Sequence, residues 1–161
     1  MSHNPYRMLT YRPMKLILIL IIASIIACTA SIEETLLRCD DCPEVRVSRV
    51  IDGDTLDTPS GRVRLFGVDT PEVGELCAAE ATSRMNELAG NLVRLEDGQR
   101  LTDQFGRRLA YVYTEDGNFI DEILVREGLG TAWTEDGQHR DFLVGLEKDT
   151  RMKDDGCLWS K

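Results

Sequence analysis

The sequence predicts an α+β domain, and two observations carry that prediction. Short runs of alternating apolar and polar residues dominate the stretch after Cys42, and segments with helical apolar spacing become frequent only later. The chain has 161 residues, 42% of them hydrophobic, enough for one core and one small domain.

Glu44–Ile51 alternates Val45 and Val47 with Arg46 and Ser48, the period of a half-buried strand. Asp54–Thr58 and Gly61–Val68 read as two more strands, joined through the turn residues Pro59-Ser60-Gly61. Glu75–Ala89 places Ala78, Ala81, Met85 and Leu88/Ala89 on one face and meets Gly90, a helix with a glycine stop. Asn91–Glu96 and Arg108–Thr114 read as strands on either side of a loop, Asp97–Gly106. Phe119–Glu127 is a second helix with Ile120, Ile123 and Leu124 inward. Gln138–Lys153 is a third, with Phe142, Leu143 and Leu146 as its apolar stripe.

Residues 1–27 read as an address. Met14-Lys15 followed by the apolar Leu16–Ala27 has the charge and length of a signal peptide and is too short for an ordinary spanning helix. Met14 is the expected start. Ile25-Ile26-Ala27-Cys28 resembles a bacterial lipobox, which makes Cys28 a candidate for lipidation. The alternative is a signal cleaved after Cys28-Thr29-Ala30, which frees the protein. Residues 28–43 then form a tether, with Ser31 to Glu34 either a short capping box or plain solvated chain. Residues 44–161 form the domain.

The net charge is -9. Three cations and no acids precede Cys28, so the remainder carries 16 cations against 28 acids. That balance opposes tight passive binding of nucleic acid, which rests on a positive field. Besides Cys28, four cysteines remain: Cys39, Cys42, Cys77 and Cys157. In an exported domain an even count favours disulfides, with three connectivities open. Cys39-Asp40-Asp41-Cys42 also has redox-pair spacing, and four cysteines can hold zinc, but neither motif has its usual context. There is no internal repeat, P-loop, GxSxG or HExxH. His3 lies in the leader, and His139 is placed on a helix surface, so neither histidine is a catalytic candidate.

The chemistry gathers around Val63-Arg64-Leu65-Phe66-Gly67-Val68-Asp69-Thr70-Pro71-Glu72. A strand carries Arg64 and breaks at Pro71, which cannot donate to a ladder and holds Thr70 extended. One arginine and two carboxylates thus reach a rigid corner. Asp54 precedes them in Asp52-Gly53-Asp54-Thr55, and Arg107 follows in Gln104-Phe105-Gly106-Arg107. Asp54 and Asp69 are hard oxygen ligands suited to Ca²⁺, or otherwise turn caps. Two arginines can each fork onto phosphate oxygens, or otherwise pair with surface acids. Together they point to a phosphodiester site.

These blocks, VIDGDTL at 50–56, VRLFGVDTPE at 63–72, TDQFGRRLAYVY at 102–113 and NFIDEILVREGLG at 118–130, resemble the staphylococcal nuclease family in order and spacing. The resemblance implies a five-stranded OB-type barrel packed by three helices. It implies a Ca²⁺-dependent nuclease that cuts DNA and RNA to 3′-phosphorylated products. Asp54, Asp69 and the Thr70 carbonyl would hold the metal, with Asp52 in support. Arg64 and Arg107 would grip the phosphate, and Glu72 would activate or orient water, sharing with the metal a task for which a carboxylate alone is a weak base. The resemblance also brings the Cys77 segment to the first helix and the Cys157 tail back onto the domain, so that Cys77–Cys157 and Cys39–Cys42 are the expected pairs.

The chain departs from the family pattern. Gln104-Phe105 stands where a Lys-Tyr pair is usual, and Trp133 alone replaces paired tyrosines. Phe105 can stack on a base, while Trp133 is either a stacking platform or a partly buried core aromatic. The expected partners are a nucleic acid substrate and, through Cys28, a membrane, the protein acting as a monomer in the bacterial envelope or secreted from it. A non-catalytic OB module that binds nucleic acid or a protein is the main alternative, and a structural Ca²⁺-binding lipoprotein is a third. Neither alternative explains both arginines and all three acids.

Overall fold

The computed structural model describes residues 36–154 and 156–160. The leader, Cys28 and the Ser31–Glu34 segment lie outside the described residues.

The predicted first strand is found as two pieces, β1 (Glu44–Arg46) and β2 (Arg49–Val50). They are followed by β3 (Thr55–Thr58), β4 (Gly61–Leu65), β5 (Val68–Asp69), α1 (Ala78–Ala89), β6 (Leu92–Thr102), β7 (Arg108–Thr114), α2 (Ile120–Arg126), β8 (Thr131–Ala132) and α3 (Arg140–Met152). The main sheet has six strands in the order β1-β6-β7-β4-β3-β2, and β5 pairs with β8 in a second, two-stranded sheet. The expected five-stranded barrel is therefore a curled six-stranded half-barrel. Its two edges are the halves of one segment: β1 pairs with β6 (Val45↔Val93) and β2 with β3 (Val50↔Leu56). The β3–β4 hairpin closes through Thr58, whose hydroxyl donates to Gly61 O at 2.8 Å and accepts the Ser60 N–H at 3.2 Å. β4 and β7 run parallel, with Arg64 opposite Leu109. That pairing brings the two predicted phosphate-binding segments side by side.

The inner face of the sheet supplies Leu56, Val63, Leu65, Val93, Leu95 and Val112, all buried. α1 covers it with Ala81, Met85 and Ala89, small residues that allow close approach. α2 is buried nearly all round, so its acids are buried with its aliphatics. Glu122 accepts the Leu37 N–H at 2.7 Å and Arg126 Nε–H at 2.8 Å. Asp121 accepts the Gly67 N–H at 2.8 Å and the Val112 N–H at 3.2 Å. These bonds tie α2 to the end of β4 and to β7.

Four expectations shift. α1 starts at Ala78 because Cys77 takes a left-handed conformation (φ 71°) and is bonded to Cys157. β6 runs on to Thr102 through an irregularity between Asp97 and Thr102, replacing most of the expected loop. Its Gly98 lies so close to the Phe66 ring that a Cβ there would collide. The stripe of α3 is rotated: Leu143, Glu147 and Thr150 are buried, whereas Phe142 is 40% exposed. Glu147 is there to accept the Ala132 N–H at 2.8 Å. His139 is not on an open helix surface. It sits at the α3 N-cap with Nε2 3.0 Å from Glu96 Oε2 and its ring against Tyr111 and Phe119. The second disulfide, Cys39–Cys42, precedes β1. Both pairings are those the resemblance implied.

Burial pushes the Asp121 carboxyl up to about 7, against the pull of the Gly67 and Val112 N–H groups. In the unfolded chain the same group loses its proton near 3.8. The folded state therefore binds the extra proton between these values. The stability this contributes is complete below the unfolded pKa and is lost as pH rises through about 7. Asp57, Asp103 and Asp136, each held below the usual carboxylate range, act in the opposite sense at lower pH. Melting temperature is expected to peak in mildly acid solution and to fall towards pH 8. Asp121→Asn should melt lower at acid pH, where one N–H loses its acceptor, and should flatten the fall. A fall of unchanged slope in the variant would assign it to another group.

Candidate active site

Asp54 lies in the turn between β2 and β3, where Asp52 Oδ1 accepts its N–H at 3.2 Å. The Asp54 side chain is buried. Its Oδ2 accepts the Thr70 N–H at 2.9 Å and the Thr70 hydroxyl at 3.1 Å, and its Oδ1 accepts the Thr55 hydroxyl at 3.0 Å. Burial pushes this carboxyl up, and the Arg64 charge is the main force opposing it. Asp52 thus supports the turn, and its charge adds to the upward push.

Arg64 leaves β4 towards the break before β5. One Nη donates to Leu65 O at 2.7 Å and Val68 O at 2.9 Å. The other lies 2.5 Å from Asp69 Oδ1 and 3.3 Å from Asp54 Oδ2. Two carboxylates from different elements converge on one guanidinium nitrogen. Asp54 is enclosed, and Asp69 is more than half exposed. The Asp69 carbonyl accepts the Thr131 hydroxyl at 3.3 Å, so β8 steadies the corner from behind. Beyond Pro71, Glu72 O accepts the Glu75 N–H and Glu75 Oε2 accepts the Glu72 N–H, both at 2.9 Å. This closed turn holds an exposed Glu72, which lines the same cleft as Asp69.

Arg107 is set by the turn Asp103–Gly106, which Gly106 completes with φ 77°. Asp103 accepts the N–H groups of Phe105 and Arg107, each at 2.9 Å, and Arg107 Nε–H at 2.6 Å. Burial pushes Asp103 up, yet these donors outweigh it and hold the carboxyl below its usual range. The Arg107 guanidinium stands 5.6 Å from the Phe105 ring centre.

One cleft of about 470 Å³ gathers most of these groups. Arg64, Asp69, Glu72 and Arg107 line it, together with Gln104, Phe105 and Trp133. Its floor includes Leu65, Phe66 and Leu109. Asp54, Thr70 and Asp52 do not line it; Asp54 reaches it only through Arg64. Trp133 packs on the core as the second of its two readings expected, lines the cleft, and donates Nε1–H to Asp136 at 2.8 Å. Four charged lining residues were not singled out from sequence: Arg100, Asp103, Glu135 and Asp136. The Asp-x-Phe-Gly-Arg turn spacing was a signal for Asp103. None marked Arg100 or Asp136, which meet only in the fold.

The donor set suits a hard cation. Asp54 and Asp69 already share one positively charged nitrogen, so a divalent ion there would meet oxygen ligands of the right kind. Among the described residues no group of three or more His, Cys, Asp or Glu side chains is placed to hold a metal. Carbonyl oxygen and water would have to complete the shell.

A family profile described as "Staphylococcal nuclease homologue" matches residues 62–161, more than half the chain. The chain belongs to the staphylococcal nuclease family. It is 36% identical over 121 residues to a protein of Escherichia coli O157:H7 called "Uncharacterized endonuclease", covering 71% of this chain and 76% of the relative. It is 36% identical over 120 residues to the "Thermonuclease" of Staphylococcus intermedius, covering 66% and 71%. It is 32% identical over 128 residues to the "Micrococcal nuclease" of Shigella flexneri, covering 71% and 72%. As a member of the staphylococcal nuclease family it is a nuclease, a hydrolase of phosphodiester bonds. The family cleft in this chain is crowded with acid: three arginines stand among Asp69, Glu72, Asp103, Glu135 and Asp136.

Proposed function

We propose that the protein is a Ca²⁺-dependent nuclease that acts outside the cytoplasm on DNA and RNA and leaves 3′-phosphorylated ends. The observation that carries this reading is the convergence of Asp54 and Asp69 on Arg64, at the wall of a cleft that also holds Glu72 and Arg107. Asp54, Asp69 and the Thr70 carbonyl would hold the cation. When bound, it supplies Lewis-acid polarisation of the phosphate and makes a nearby water more acidic.

The chain's own groups do the rest. Arg64 and Arg107 present forked N–H donors to the phosphate oxygens and stabilise the extra negative charge of the five-coordinate transition state. Asp103 holds Arg107 in place. Glu72 orients the attacking water and accepts its proton. The P–O5′ bond breaks, the departing oxygen takes a proton from solvent, and the 3′ side keeps the phosphate. Phe105 and Trp133 offer faces for bases, while Gln104 contributes a neutral amide. Two disulfides in one small domain are compatible with an oxidising compartment. They support export, and we read the exported protein as a monomer, lipid-anchored through Cys28 or released.

Digestion of single-stranded DNA, duplex DNA and RNA with Ca²⁺, with Mg²⁺ and with chelator tests the reading. Cleavage with Ca²⁺, its loss with chelator and 3′-phosphate ends are expected. Full activity in chelator would remove the metal from the reaction.

A further inference from the structure

Arg100 is the third arginine of the cleft, and the catalytic reading gives it no role. It stands near the end of β6, on the stretch expected to be loop. Asp136 receives its Nε–H at 2.9 Å and one Nη2 hydrogen at 3.1 Å, a two-point grip that fixes the plane of the guanidinium. The guanidinium carbon lies 5.3 Å from the centre of the Phe66 ring, at the cleft floor. Asp136 also accepts the Trp133 indole N–H at 2.8 Å. One carboxylate therefore orients both a cation and an aromatic plane, and all three side chains line the cleft.

A guanidinium has five N–H donors, of which this grip uses two. Three are left for a ligand. Asp136 can serve as the internal counter-ion and is held below the usual carboxylate range by Arg100 first and Trp133 next, so it stays charged. Neighbouring phosphates on a nucleic acid strand repeat with a base between them. Arg100 and Trp133, held by one carboxylate, offer a cation to one and an aromatic face to the other. Gln104 brings no charge to this cleft, so Arg100 is the cation left over once Arg64 and Arg107 are assigned to the scissile group.

We infer that Arg100 and Trp133 form an extended-substrate position, taking the phosphate next to the scissile one and the adjoining base, with Asp136 as the residue that positions both. The inference rests on the nuclease reading and adds to it a requirement for a strand with more than one phosphate.

The test compares a short single-stranded oligonucleotide with a nucleoside diester that carries one phosphate. Arg100→Gln is expected to raise KM on the oligonucleotide about tenfold more than on the single-phosphate diester. It should also lower the salt dependence of oligonucleotide KM by about 0.7 in log–log slope, the loss of one phosphate contact on a single strand. Arg100→Lys keeps the charge without the fork and should keep the slope. Asp136→Asn should raise oligonucleotide KM several-fold with little change in kcat. An equal rise on both substrates, or an unchanged salt slope in Arg100→Gln, would overturn the inference while leaving the nuclease intact. If the unaltered protein cuts neither substrate, the catalytic reading and this one fall together.

Discussion

Replacing Arg64 with alanine is expected to lower phosphodiester hydrolysis by about 10³-fold or more, the scale on which a transition-state arginine acts at a phosphoryl centre. The side chain is only 11% exposed, and its guanidinium meets Asp54, Asp69 and two backbone carbonyls. Its loss therefore does two things. It removes a fork aimed at phosphate, and it leaves the buried Asp54 without its nearest positive charge. Breaking a buried pair from one side costs about 3 kcal/mol, although the Thr70 and Thr55 donors to Asp54 remain. The substitution therefore costs stability as well as activity. Activity must accordingly be scored per folded molecule, with near-ultraviolet circular dichroism as the check. Arg64→Lys separates the effects, since it keeps a charge beside Asp54 and loses the fork. Activity within tenfold of the parent in a folded Arg64→Ala protein would take Arg64 out of the chemistry.

The second large effect is on stability. Cys77 and Cys157 are 80 residues apart in the chain. In the chain-entropy treatment such a closure is worth about 4.5 kcal/mol, against about 1.6 kcal/mol for the three-residue separation of Cys39–Cys42. A Cys77→Ser/Cys157→Ser double variant should lose most of the larger figure in urea unfolding, and the other pair should matter much less. There is a local effect as well. Cys77 sits just before α1 and a few residues after Glu72, on the turn that presents Glu72. Freeing it loosens that corner, so activity should fall at urea concentrations where the sheet is still folded. A double variant that unfolds at the parental midpoint would show that the tail holds without its bridge.

The parts of this site legible in the sequence are those with a local signature. Val63–Glu72 carries period-2 alternation and then a proline, so a strand ending in a rigid acidic corner follows from the residues themselves. Gly106 before Arg107 marks a turn by the same logic. Buried acids were not legible. Asp121 and Glu122 read as the wet side of an amphipathic α2, but that helix is enclosed by the sheet and by α1 and α3, and their carboxylates satisfy backbone N–H groups at 2.8 Å and 2.7 Å. The extension of β6 was hidden because Glu96–Arg100 is polar on both faces, and only its pairing with β7 makes it a strand. The same blindness concealed Arg100 and Asp136, which are 36 residues apart and meet across the cleft. Helix α3 misled in a smaller way: Glu147 displaced the expected apolar stripe because β8 needed an acceptor for Ala132.

The sheet order sets how this chain must find its fold. β1 waits for β6, whose register partner to Glu44 is Arg94, and β4 waits for β7, with Val63 opposite Arg108. The Leu37 N–H is satisfied by Glu122, 85 residues on. β2, β3 and β4 can pair locally, but β1 and the far side of β4 stay unpaired until most of the chain is available, so loop-closure entropy falls due before those rewarding contacts form. Proteins wired in this way fold in milliseconds to seconds rather than microseconds. Throughout that interval β1 is unpaired and β4 half-paired, and a chain emerging from synthesis or translocation is exposed to proteases until its last helix arrives.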